Sequence, residues 1–103
     1  MHKLAYERLV RKLTKENLWL YVISVLKEKT MYGYEVKKNI KSKFNFSPST
    51  VTVYAVLYRM LREGLIRKVN IDGVTYYTTT EKGLELFNKA RRFIESMSKL
   101  LFK

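Results

Sequence analysis

Between Ser47 and Tyr54 the chain reads Ser-Pro-Ser-Thr-Val-Thr-Val-Tyr, four serine and threonine hydroxyls around the only proline, ahead of the apolar run Val56, Leu57, Met60 and Leu61. Small hydroxyl groups at the front of a helix accept and donate hydrogen bonds at short reach, which suits base edges and phosphates. They also suit the plain task of capping the helix, so context must decide. Other chemistry has little material. There is no cysteine, the single histidine is His2, the single aspartate is Asp72, and no nucleophile with a base or set of metal-ligand spacing occurs. Glu81 and Glu85 share a helix face with Lys82 and Lys89, which reads as surface pairing. No enzyme, cofactor or metal is expected.

The charge supplies the context. Against 9 acidic residues stand 21 Lys and Arg, a formal +12 on 103 residues, and such a field favours a polyanion, nucleic acid or anionic membrane. The longest apolar run, Leu18 to Leu26, is half a membrane span. A soluble cytoplasmic protein binding double-stranded DNA is the reading that results. The positive charge is spread along the chain, and only the segment 69–79, through Asp72, is net negative. With one proline, no repeat and no low-complexity tract, a single compact domain is expected, in which residues 1–79 carry the binding elements and 80–103 a terminal helix.

The elements that would position the hydroxyls follow from periodicity. Residues 4–13 place Leu9, Val10 and Leu13 on one side, an amphipathic first helix; Thr14 can cap a second, from Lys15 to Lys29, apolar all round. Thr30 to Gly33 reads as a turn. Tyr34 to Lys43 reads as a short helix with Val36 and Ile40 inward and its lysines largely outward. Ser47 as N-cap with Pro48 at the first helical position starts the next, which Gly64 ends. Two alternating runs, LIRKVNI and VTYYTTT, flank Asp72-Gly73 and predict a hairpin. Thr80 caps a final helix in which Phe87, Ala90, Ile94, Met97 and Leu101 form one stripe and Leu86, Phe93 and Leu100 a second.

The expected fold is therefore mainly α with a small β-hairpin wing, a winged helix-turn-helix with an N-terminal helix and a long C-terminal dimerisation helix. In that frame the front of the helix after Pro48 enters the major groove. Ser47, Ser49, Thr50 and Thr52 become contacts to bases or phosphates. Ala55 allows close approach, while Tyr58 and Arg59 lie on the outer face. Lys37 and Lys38 are candidate phosphate contacts on the preceding helix. Tyr54 sits at the edge of the apolar face, as a core residue, with or without its hydroxyl on a phosphate. Two apolar stripes on the last helix of so small a chain bury better against a second copy, through Leu86, Phe87, Ala90, Phe93, Ile94, Met97 and Leu101.

The segments MYGYEVKKNI, TVYAVLYRMLREGLI and YYTTTEKG, in this order and spacing across most of residues 18–83, resemble the PadR-like transcriptional regulators. The resemblance implies a homodimeric, repressor-type protein on a pseudo-palindromic operator, with the C-terminal helix as main dimer contact, and it matches Tyr54 to a tyrosine of the family's recognition helix. It also allows a small, flat hydrophobic effector lodged among Trp19, Phe93 and Met97, although an aromatic stripe at this spacing is more often core. Departures are Ala55 where proline is frequent, Leu61 where an acid is common, and a short wing without arginines at its tip, which leaves Lys68 and Thr75 as its phosphate contacts. The other readings are a winged-helix protein-interaction module and a non-specific architectural DNA-binding protein. Sequence-selective, salt-sensitive duplex binding distinguishes the first reading from both.

Overall fold

The computed structural model describes residues 3–103; His2 lies outside the described residues. In chain order it comprises α1 (Lys3–Leu13), a 3-10 turn (Lys15–Asn17), α2 (Leu18–Leu26), β1 (Met31–Tyr32), α3 (Gly33–Phe44), α4 (Thr50–Glu63), β2 (Ile66–Ile71), β3 (Val74–Thr79) and α5 (Glu81–Leu101). This is the winged helix expected from the periodicities. Helices α2, α3 and α4 enclose one core, in which Val22, Ile23, Val36, Ile40, Val53, Leu57 and Met60 are almost wholly buried with Ile66 of β2 and Tyr77 of β3. No polar or charged residue is buried there among the described residues. Cohesion thus comes from apolar burial, the non-directional term that any helix face of matching shape can supply.

Four boundaries differ from the sequence expectation, three for a local reason and one through pairing with a distant strand. Lys15 to Lys29 is not one helix. Asn17 takes φ −132° and ψ 44°, and its side-chain amide donates to the Lys12 carbonyl, so a 3-10 turn precedes α2. Thr14 does not cap forward either; its hydroxyl donates back to the Val10 carbonyl at 2.6 Å. The expected turn Thr30 to Gly33 contains β1, which pairs antiparallel with β3 (Met31 opposite Tyr77, Tyr32 opposite Tyr76), giving a three-stranded sheet ordered β1-β3-β2. Two residues are too few to show an alternating pattern. Finally, Ser49 and not Ser47 caps α4: its Oγ accepts the Thr52 N–H at 3.1 Å, while Pro48 is buried ahead of the cap.

The hairpin and the ends of α4 and α5 are as the residues dictate. Asp72 (φ 49°) and Gly73 (φ 80°) turn β2 into β3 in the left-handed pair of conformations that a two-residue hairpin needs. Gly64 ends α4 at φ 76°. The carbonyls freed there are taken up by the start of α5: Lys82 Nζ donates to Glu63 O at 2.7 Å, Thr80 Oγ1 to Gly64 O at 2.6 Å and the Thr80 N–H to Leu65 O at 3.1 Å. Thr80 in turn accepts the Gly83 N–H as the N-cap of α5. The approach is so close that a Cβ on Gly83 would lie 2.1 Å from the Leu65 carbonyl oxygen. The end of α4 and the beginning of α5 are therefore joined by hydrogen bonds and close packing.

Candidate nucleic-acid interface

Helix α4 is anchored by one face and bare on the other. Val53, Val56, Leu57 and Met60 point into the core, whereas Ser49, Thr50, Val51, Ala55, Tyr58, Arg59 and Arg62 are exposed and Thr52 and Tyr54 half-buried. The front of the helix is thus uncovered by any other element of the chain. Its hydroxyls form a small network. Ser49 Oγ donates to Thr52 Oγ1 at 2.8 Å, and Thr50 Oγ1 accepts from Lys37 Nζ at 3.1 Å, so α3 steadies the first turn of α4. Capping and contact with a ligand are compatible here, because a hydroxyl has two acceptor sites as well as its proton.

Val51, which the sequence reading passed over, is 80% exposed at this front turn. The signal was available: residues 51, 55, 58 and 62 stand at helical spacing and form one outward row, so an apolar side chain at 51 has nothing of its own subunit to pack on. In a major groove such a residue would meet a thymine methyl. Arg62 joins Arg59 on this side, two cations beyond the hydroxyl-bearing turn.

Tyr54 is held by α3. A Cβ on Gly33 would lie 2.5 Å from both Cζ and the hydroxyl oxygen of Tyr54, so the ring fits only because residue 33 has no side chain. Tyr54 also meets the ring of Tyr58, tilted at 45° with 6.3 Å between centroids. The segments MYGYEVKKNI and TVYAVLYRMLREGLI, one with Gly33 and the other with Tyr54, are the two sides of a single contact. Around α3 the N-terminal residues are locked by the Glu35 carboxylate, which accepts the Tyr32 N–H at 3.2 Å and lies 3.5 Å from Lys29.

The wing presents different chemistry on its two faces. Lys68 and Thr75 lie on the sheet face that also carries buried Tyr77, the side turned towards the helices, and both are exposed. At the tip Ile71 and Val74 pair with each other, both almost half exposed, beside Asp72. No cation stands at that tip. On the opposite flank of α3, Lys37 is half-buried and Lys38 and Lys41 are exposed along a cleft that also takes in Ser47. The candidate residues of α3, α4 and the wing therefore share one side of the subunit only in part: Lys37, Ser49, Thr50 and Thr52 are in direct contact, and Lys68 and Thr75 stand apart on the sheet.

The C-terminal helix separates into two halves. Phe87 packs on the core of its own subunit, with the Lys27 ammonium 6.0 Å from its ring centroid, and Ala90 is half-buried; from Arg91 onward every residue is exposed. Phe93, Ile94, Met97 and Leu101 are among those exposed, and Leu86 lies at the margin. Helix α1 carries a second bare apolar face, with Leu4, Leu9, Val10 and Leu13 exposed. Trp19 lines a cleft of about 460 Å³ with Val56, Met60 and Arg59 of α4 and Leu86 of α5, but neither Phe93 nor Met97 borders it. Trp19, Phe93 and Met97 thus do not border one cleft within a single chain: of α5 only Leu86 reaches the Trp19 cleft, Phe93 is exposed, and Arg91, Ile94 and Glu95 face Leu20, Tyr21, Ser24 and Phe44 instead.

Comparison with known proteins agrees with this frame. Residues 22–89 match the family described as the transcriptional regulator PadR-like family, a stretch that runs from α2 through the wing into α5. The chain belongs to the PadR-like family. Its members are transcriptional regulators that bind DNA and not enzymes. A transcriptional regulator from Clostridium thermocellum superposes with a TM-score of 0.73 at 26% identity, over 81% of this chain and 84% of that one. A PadR family transcription regulator from Clostridium difficile gives 0.68 at 26% identity, over 82% and 97%. The winged-helix DNA-binding protein F93 from STIV shares the fold alone, with a TM-score of 0.70 at 15% identity over 82% and 92%. No curated protein sequence matches significantly. Among the described residues no helix is long and apolar enough to cross a membrane.

Proposed function

We propose that this PadR-like protein is a sequence-specific repressor that binds a pseudo-palindromic operator as a homodimer in the cytoplasm. The observation that carries the reading is the bare front of α4: hydroxyls, Val51 and Ala55 stand free inside a winged-helix frame whose net charge is +12. In the major groove Thr50, Thr52 and Ala55 meet base edges. The capping network of Ser49 and the Lys37 contact fix the turn that presents them. Tyr58, Arg59, Lys38, Lys68 and Thr75 contact phosphates, and Ser47 stands beside the cap. Tyr54 contributes by position, since its seat on Gly33 sets the angle between α3 and α4.

The second copy covers what one chain leaves open. The outer half of α5, with Phe93, Ile94, Met97 and Leu101, and the apolar face of α1 supply a self-complementary surface of the kind a two-fold dimer buries. Leu86, Phe87 and Ala90 lie at its root. Because α5 begins fused to the end of α4, the dimer contact sets the separation of the two reading helices, one helical turn of DNA for adjacent half-sites. A flat hydrophobic effector would enter the Trp19 cleft, and Phe93 and Met97 would join that cavity only from a second copy. Selection of bound duplexes from a random pool tests the reading. A recovered motif with two-fold symmetry, lost or relaxed by Thr52→Ala, is expected; recovery of no preferred sequence overturns sequence-specific regulation.

A further inference from the structure

The outer face of α3 forms a cleft of about 450 Å³ against the loop that leads to α4. Tyr34, Lys37, Lys38 and Lys41 line it from the helix, and Asn45 and Ser47 from the loop, with no carboxylate among the lining residues. The acids of this region are already engaged, Glu28 by Lys43 and Glu35 by Lys29. Lys37, Lys38 and Lys41 have no carboxylate partner among the described residues. Other contacts hold the first two in place: Lys37 bonds Thr50 Oγ1 at 3.1 Å, and the Lys38 ammonium stands 5.8 Å from the Tyr34 ring. Three unneutralised cations, two of them held in place, in a concavity that also offers hydroxyl and amide donors fit a phosphate-bearing polyanion.

The spacing favours a strand over a compact anion. Lys37 and Lys41 are one helical turn apart, about 6 Å along α3, while phosphates of one DNA strand advance about 3.4 Å each along the duplex axis. About 6 Å is nearly two such steps, so the cleft is long enough for more than one phosphate of a strand, and through Lys37 it is continuous with the first turn of α4.

We propose that the cleft bordered by Tyr34, Lys37, Lys38, Lys41, Asn45 and Ser47 is a backbone track that holds phosphates flanking the base-reading turn of α4. The proposal rests on the DNA-binding reading above and adds Tyr34, Lys41 and Asn45 to the contact surface. Lys41 is its diagnostic residue, because it is exposed and its side chain makes no hydrogen bond or ion pair among the described residues. Such a track lengthens the footprint beyond the half-site and raises affinity for every sequence alike.

The test is the salt dependence of duplex binding by the full chain, on a selected duplex and on a scrambled one, with Lys41→Gln and the remote control Arg91→Gln. Each lost phosphate contact removes about 0.9 from the slope of log K against log salt. With two copies on one duplex the slope falls by about 1.8, so raising salt from about 50 to 200 mM should weaken Lys41→Gln about 12-fold less than the unaltered protein. Arg91→Gln should match the latter, and phosphate ethylation should reveal flanking positions insensitive in Lys41→Gln. An unchanged slope, with both duplexes still bound, overturns the track and leaves the α4 reading intact. Failure of the unaltered protein to bind either duplex overturns that reading and the track with it. Tripolyphosphate serves as the compact-anion arm: if it shifts the Tyr34 to Asn45 amide resonances while the Lys41→Gln slope stays unchanged, the cleft is a free-anion site and the track is wrong.

Discussion

Substituting Gly33 by alanine tests whether Tyr54 is seated as described. The added Cβ would lie 2.5 Å from Cζ and the hydroxyl oxygen of Tyr54, roughly an ångström inside ordinary contact distance. Since the ring is flanked by Tyr58 and packs on the core, the strain falls on the α3–α4 junction. Overpacking of this kind costs about 1–3 kcal/mol, offset by at most about 1 kcal/mol of helix propensity gained by removing a glycine. The net loss expected is about 1–2 kcal/mol, a fall in Tm of about 5–15 °C for a domain of this size. In a Tyr54→Ala background the obstacle is gone, and the same Gly33→Ala change should be neutral or stabilising. A double-mutant cycle followed by urea unfolding reads the difference directly, with an expected coupling of about 1–3 kcal/mol. Equal losses in both backgrounds would refute the reasoning.

Gly83→Ala should cost more, about 3 kcal/mol, because its Cβ would meet the Leu65 backbone carbonyl at 2.1 Å and not a side chain that can turn aside; an unchanged melting temperature would contradict the fused junction of α4 and α5. Ile94→Glu, exposed in one chain, should leave folding intact and halve the mass in sedimentation, whereas an unaltered mass would exclude the α5 dimer. Burial raises the Tyr77 phenol above its ordinary value of 10.0, with Tyr58 and Tyr54 adding to the effect. Its neutral form is favoured by the fold, so that contribution is complete below about pH 10 and is lost as pH rises through the raised value. Urea midpoints should therefore fall less steeply above about pH 10 in Tyr77→Phe than in the parent; equal pH slopes would assign the loss to other groups.

The fold was largely legible because its elements are amphipathic at clear periods. Val36 and Ile40, the row from Val53 to Met60, and the Asp72-Gly73 turn each announced themselves locally and lie where their spacing required. What failed to show had two kinds of cause. Strand β1 exists only because the distant β3 lies beside it, whereas the cap falls at Ser49 and not Ser47 for a local reason, with Pro48 buried ahead of it. Periodicity gave no sign that Gly33 and Tyr54 meet, since a glycine has no side chain with which to declare a partner. The uncovered front of α4 was legible from its hydroxyls, but Val51 was masked by its apolar type, which reads as core until the wheel is drawn.

Amide chemical shifts of the protein titrated with a selected duplex test the central claim most directly. The account predicts the largest changes at Thr50, Val51, Thr52 and Ala55, with smaller ones along Lys37 to Lys41 and at Lys68 and Thr75, and none in the core of α2. Changes confined to α5 or to the wing, with the front of α4 unmoved, would contradict it.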